Sequence, residues 1–310
     1  MQDLYANRNV KPMLIKERTD PFNSPDWIYE LKLDGFRCIA YLDKVGTDLR
    51  SRTNIPMIKK FPELSEIHKQ VMDRCILDGE LVVMKNGLPD FYEVQRRNVL
   101  SDRFKIQLAV SQSPACFVAY DILYYIDKDL TDQPLIMRKN IINSCIVENP
   151  RIAVSRYIEQ NGIELYQAAD FKNLEGVVAK KKDSFYLQGK RTRDWVKFKR
   201  LEDEDCVICG YIRKKPMNVL LLGQYNEDKL LYRGSVSLGV HLDYLISQYN
   251  LKTISYSPFN NQPTENSPIF WLMPNTVCTV EYMPGTRASM RQAVFKGIRD
   301  DVLPIECQIK

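Results

Sequence analysis

The sequence predicts an α+β chain in two domains, a strand-rich first domain over residues 1–202 and a small β-barrel over residues 203–310. Three observations predict it. The chain has 310 residues, 45% hydrophobic and 27% charged, which is the composition of a globular protein long enough for two separate cores. Its first two-thirds carries apolar alternation of period two between a few segments of helical spacing. After "WVKFKRLEDED" the texture changes to short strands divided by turn residues, the pattern of a barrel of about 100 residues.

Taken in order, "WIYELKL", "RCIAYL", "CILDGELVVM" and "ACFVAYDILYY" read as strands, with turns expected at Asp34-Gly35 and Asp78-Gly79. Helical spacing appears in "FPELSEIHKQVM", in "PLIMRKNIINSCI" after Pro134, and in "GIELYQAADFKN" after Gly162. The barrel strands are "DCVICGYI", "VLLLGQYN", "KLLYRGSVS" and "NTVCTVEYM", with "HLDYLISQYN" as a helical insert. The acidic run "LEDED" reads as a hinge, and "SPFNNQPTENSP" as a loop inside the second domain. No internal repeat is visible.

Composition excludes several function classes. The N-terminus has no apolar h-region and no stretch of about 18 apolar residues occurs, so secretion and membrane spanning are not expected and a cytoplasmic location is. The eight cysteines sit in apolar runs, as reduced core residues do. Cys206 and Cys209 form the one CxxC, but on a strand residues three apart face opposite sides, and only His68 and His241 could add ligands. A zinc site and histidine catalysis are therefore both disfavoured. Net charge is +5, and from Asp203 onward 11 basic residues balance 11 acidic ones, so the first domain carries the excess. Within it, Lys180 to Arg200 holds nine basic and two acidic residues with interleaved aromatics, which suits a polyanion such as a nucleic-acid backbone or a nucleoside triphosphate. A merely solvated basic face is the alternative.

The stretch "YELKLDGFR" places Lys32 at the end of an apolar strand, two residues before Asp34-Gly35. A lysine amine becomes a nucleophile when burial or nearby cations favour its neutral form. An exposed Lys32 and Asp34 on one face of an edge strand would carry the same letters. Other segments decide the matter. "ELKLDGFR" resembles the K-x-D-G-x-R pattern of the covalent nucleotidyltransferases, which include ATP-dependent DNA ligases, RNA ligases and mRNA capping enzymes. "SRTN" at Ser51, "LDGELVV" at Leu77, "FVAYDIL" at Phe117, "EGVVAK" at Glu175 and "KRTRDWVKFK" at Lys190 resemble that superfamily's further motifs, in its order and spacing. "SRTNIPMIKKFPEL" and "VEYMPGTRASMRQAVFKGIRDD" resemble the ligase domain of bacterial end-joining DNA ligases most. One departure stands out: Val302 follows Arg299, Asp300 and Asp301 where many ligases have a lysine.

The resemblance implies a nucleotidyltransferase (adenylation) domain followed by an OB-fold, and an ATP-dependent ligase that seals nicks in duplex DNA through a lysyl-AMP intermediate and a DNA-adenylate. It implies that Lys32 is the nucleophile and that Asp34 acts near the nick. Glu30 and the Leu31 backbone would meet the adenine edge, Tyr120 would stack on the purine, and Glu80 would meet the ribose or a metal. Arg37, Arg52, Arg191, Lys197 and Lys199 would neutralise phosphates. Glu80 and Glu175 together would hold Mg²⁺, with Mn²⁺ as the alternative ion. Arg299 would grip the β and γ phosphates during the first step. The expected partners are nicked duplex DNA and a Ku-like end-binding protein, the expected state a monomer, and the expected location the bacterial or phage cytosol. RNA ligation or GTP-dependent capping is the competing enzymatic reading, and a non-catalytic nucleic-acid-binding module the competing non-enzymatic one.

Overall fold

A computed structural model describes residues 4–17, 20–199, 202–238, 242–261, 263, 265, 267–283 and 290–309. The chain divides into two units, Met1–Lys199 and Arg200–Lys310.

The first unit contains two sheets. One has five strands in the order Leu14–Glu17, Arg191–Lys199, Gly176–Lys181, Ser24–Leu31 and Tyr157–Gln160. The other runs Thr47–Ser51, Phe36–Leu42, Cys75–Lys85, Ala115–Tyr125 and Lys128–Asp129, with Leu88–Pro89 and Ile152–Val154 added at its sides. The strand pleat sorts residues between three cores. In the five-stranded sheet, Ile28 and Trp195 face the second sheet, where Ile39, Tyr41, Ile76 and Leu123 meet them. Tyr29, Val177, Ala179, Val196 and Phe198 face the other way and are covered by the helix Gly162–Phe171. The far side of the larger sheet carries the biggest core, which includes Leu77, Leu81, Phe117 and Ala119.

Two expectations for this unit are corrected. Asp78-Gly79 is not a turn, because both residues lie inside the strand Cys75–Lys85. The ladder to Ala115–Tyr125 shifts register there, and a Cβ on Gly79 would lie 2.5 Å from the Val118 carbonyl oxygen, so glycine serves a close backbone approach. "FPELSEIHKQVM" forms two short 3₁₀ turns, Pro62–Leu64 and Ile67–Gln70, in place of an α-helix. Buried Phe61, Leu64 and Ile67 recur every third residue, and 3.0 residues per turn eclipses that spacing. Asp34-Gly35 does lie in the connection between Ser24–Leu31 and Phe36–Leu42. The helices Phe91–Asn98 and Arg103–Gln112 were not anticipated, although Asp90 and Asp102 cap them through the amides of Glu93 and Lys105.

The second unit closes a five-stranded ring. Its order is Glu202–Ile212, Val219–Asn226, Lys229–Ser237, Arg291–Arg299 and Val277–Met283, which pairs back onto Glu202–Ile212. Lys229–Ser237 meets Arg291–Arg299 in parallel, and the helix Leu242–Gln248 lies between the third and fourth strands in chain order; this is the OB-fold. Of the acidic run, Leu201 lies outside the described residues and Glu202 to Asp205 are the first residues of a strand, with Glu204 bonded to Gln224 and Asp205 to Thr279. Cys206 and Cys209 enter different cores, and all eight cysteines are free thiols.

Candidate active site

The pairing register assembles the site. Glu30, Val178 and Lys197 are partners across three adjacent strands, and Ile28, Lys180 and Trp195 form the next row. Both rows point to the inner face of the five-stranded sheet. From the facing sheet come Arg37 and Glu80, which are themselves register partners, and Tyr120. Together they enclose a cavity of about 600 Å³, closed at one side by Ser51, Arg52, Thr53 and Ile55. The tight turn there is held by Ser51 Oγ, which accepts from the amides of Thr53 and Ile55.

Of the residues expected from sequence, Glu30, Leu31, Lys32, Arg37, Arg52, Glu80, Tyr120, Arg191 and Lys197 line this cavity. Asp34, Glu175 and Lys199 lie outside the lining, and Arg299 belongs to the second unit. There its guanidinium pairs with Asp301 at 2.7 Å and Asp205 at 3.4 Å. Lys180 and Trp195 also line the cavity and were not singled out from sequence. Strand alternation from Val178 would have found Lys180, but the reach of Trp195 depends on its register with a strand 15 residues away.

Lys32 leaves the end of its strand with its amide donating to the Gly176 carbonyl at 2.9 Å. Its Nζ lies 2.8 Å from Glu175 Oε2, a carboxylate that is nearly inaccessible to water. Gly176 has φ +139°, and a Cβ there would strike the Phe198 carbonyl, so only glycine lets the chain bring Glu175 to Lys32. Glu80 contrasts with Glu175, because among the described residues no ion pair or side-chain hydrogen bond reaches its carboxylate. Burial pushes its pKa up to about 8, against the pull of Lys32 and Arg37. Such a group lacks a cation or a donor.

The other charges are already committed. Arg37 makes a two-pronged pair with buried Asp78, at 3.1 and 2.6 Å, and Asp78 also accepts from Tyr186. Glu30 is held by Lys139 on one oxygen and lies 2.6 Å from Lys180 on the other. Lys180 Nζ sits over the rings of Tyr120 and Trp195, at 4.4 and 4.3 Å, and burial lowers its pKa to about 8 against the pull of Glu30. An aromatic ring, an enclosed carboxylate and the basic residues Lys32, Arg52, Arg191 and Lys197 give the cavity a lining that suits a nucleotide. The donor set also fits a divalent cation: Glu80 is an oxygen ligand without a partner, and Mg²⁺ uses one or two carboxylates plus substrate phosphates.

Comparison with known proteins gives the same picture. Residues 10–199 match the ATP dependent DNA ligase domain and residues 213–302 the ATP dependent DNA ligase C terminal region. The SPbeta prophage-derived DNA ligase-like protein LigB of Bacillus subtilis is 33% identical over 66% of this chain and 73% of its own length. The multifunctional non-homologous end joining protein LigD of Pseudomonas aeruginosa is 30% identical over 89% of this chain, but the match spans only 34% of LigD. Among solved structures, a mycobacterial DNA ligase D complexed with ATP and MES superposes with a TM-score of 0.59 and 26% identity, over 98% of this chain and 99% of that one. With a family match to most of its length, and with the nucleotide cavity built where that match lies, the chain belongs to the ATP-dependent DNA ligases.

Proposed function

We propose that this chain seals nicks in duplex DNA by three nucleotidyl transfers, with Lys32 as the covalent carrier. The observation that carries the reading is Lys32, which lines the cavity of about 600 Å³ and whose Nζ lies 2.8 Å from an enclosed carboxylate, Glu175. In the first transfer the Lys32 amine, having passed its proton to Glu175, attacks the α-phosphorus of ATP; a P–N bond forms and pyrophosphate leaves. AMP then moves to the 5′-phosphate at the nick, and attack by the 3′-hydroxyl joins the strands and releases AMP. Arg52, Arg191 and Lys197 line the wall where phosphate charge accumulates, and phosphoryl transfer is governed mainly by such positioning and electrostatics.

Within the cavity, Tyr120 stacks on the base, Glu30 and Lys180 face its edge, and Glu80 meets the ribose or the metal. Mg²⁺, or Mn²⁺ in its place, would be held by Glu80, joined by Glu175 once the proton taken from Lys32 has passed on to water, and would supply charge neutralisation at the phosphates. Arg37 supports the wall through Asp78, and Asp34 acts near the nick. The names of several relatives, non-homologous end joining proteins, favour repair of broken DNA ends; a bacterial or phage cytosol, a monomeric state and a Ku-like end-binding partner complete the reading. No described helix is long and apolar enough to cross a membrane.

The test is incubation with α-labelled ATP or GTP followed by denaturing electrophoresis. Wild type should gain an acid-labile adenylate from ATP only. Lys32→Ala should gain none, yet still join a nick that already carries AMP on its 5′-phosphate. A labelled Lys32→Ala band would sink the assignment, and labelling by GTP would move the chain to capping chemistry.

A further inference from the structure

Lys139 is a residue that the three transfers leave without work. It stands in the helix Leu135–Cys145, is fully enclosed, and is absent from the cavity lining. Its neighbour Arg138 has an ordinary structural task, pairing with Asp121 at 2.8 and 2.9 Å and donating to the Ser184 carbonyl. Lys139 instead sends its ammonium across to the five-stranded sheet, where it bonds Glu30 Oε1 beside the ring of Tyr157. Enclosing a lysine is costly, and a methionine would fill the same volume without that cost. What Lys139 gains is control over one carboxylate of the cavity wall.

The other oxygen of Glu30 has a different neighbour. Lys180 Nζ, itself enclosed, lies 2.6 Å from it. Glu30 is therefore held from two sides, by Lys180 from within the cavity lining and by Lys139 from outside it. A carboxylate accepts about four hydrogen bonds, so with one lone pair on Lys139 and one on Lys180 about two remain to be aimed. We propose that Lys139 is a positioning residue for nucleobase selection: it pins Glu30 so that the free lone pairs face the cavity and accept from an exocyclic amine at the purine six-position. A purine with a carbonyl there would meet acceptor against acceptor. This rests on the reading of the cavity as the ATP site.

The experiment measures adduct formation with ATP and with purine riboside triphosphate, which lacks the six-amine. Wild type should prefer ATP. In Lys139→Met that preference should fall about ten- to a hundredfold, the worth of one hydrogen bond to a charged group. The loss should sit in KM for ATP, with kcat within about threefold, because binding orientation and not the reacting atoms has changed. Lys139→Arg should restore most of it. A folded Lys139→Met with full preference overturns the proposal, and so does an equal loss for both nucleotides with a fall in kcat. If Lys139→Met does not fold, Glu30→Gln is compared with Glu30→Gln/Lys139→Gln, where no enclosed carboxylate is left alone. Equal preference supports the proposal and a further loss overturns it. Absence of any adduct in wild type would instead remove the ligase reading itself, and this inference with it.

Discussion

Glu80 joins the sequence to the chemistry most directly. On an apolar strand a carboxylate without a partner is expensive, so its presence in "LDGELVV" already pointed to a ligand. Burial first, then the nearby Glu175 and Asp78, hold its pKa at about 8, above the ordinary 4.5, so at pH 7 the folded protein keeps a proton there that the unfolded chain has lost. The sign follows: this group favours the fold below about pH 4.5, and its contribution is lost as pH rises toward 8. A metal needs the ionised form, so the Mg²⁺ concentration for half-maximal adenylylation should fall as pH rises from about 6.5 to 8 and then level off. Glu80→Gln should flatten that profile, measured by Mg²⁺ titration of adduct formation at each pH; an unchanged profile would remove Glu80 from the metal site. Lys32 and Glu80 were legible because each sits in a short local pattern. Lys180 and Lys139 were not, because what gives them meaning is Glu30, which is 109 positions from Lys139 in the chain.

Among the elements, the strands were legible wherever alternation ran unbroken, as in Ala115–Tyr125, and misread where a special residue interrupted it. Asp-Gly is ordinarily a turn signal, but at Asp78-Gly79 the glycine lets two strands approach and the aspartate binds Arg37. Gly79→Ala should therefore destabilise the first unit by about 1–3 kcal/mol, the cost of overpacking against Val118 and Phe117, as read by urea unfolding. A neutral result would show that the strands can part. The helix Phe91–Asn98 was overlooked because its buried face joins Phe91 and Val94 to a charged residue, Arg97. Enclosed Arg97 bonds Glu63 with both Nη atoms and the Ser113 carbonyl at 2.9 Å, and Glu63 also accepts from the Ala115 amide. Removing one partner strands a buried charge, so Arg97→Ala should cost about 3–5 kcal/mol. Arg97→Met with Glu63→Gln should recover part of it, and equal losses in the single and double variants would deny the coupling.

At the scale of the whole molecule, charge and chemistry are unevenly shared. The first unit carries the basic excess and every residue of the cavity, while the barrel has near-zero net charge. The barrel strands were legible from their turns, but Arg291–Arg299 was not read as a strand, because its Arg and Lys residues hide the alternation of Ala293, Phe295 and Gly297. Arg299 closes that strand with Asp301 and Asp205 on its guanidinium, an arrangement that holds the side chain ready but leaves it half-exposed. Two roles compete for it. If Arg299 serves the β and γ phosphates, as the family likeness implies, Arg299→Ala should slow self-adenylylation about ten- to a hundredfold, since a planar fork on two phosphate oxygens is a strong contact. Sealing of a nick that already bears AMP needs no triphosphate and should stay within about threefold of wild type. If the pair with Asp301 is only a surface contact, neither step should change, because exposed ion pairs contribute little. The same two assays on Asp301→Asn sharpen the choice. Freed from its carboxylate, Arg299 would bind ATP better, so faster adenylylation favours the phosphate role and an unchanged rate does not. A parallel loss in both steps for both variants would instead place this strand end at the DNA.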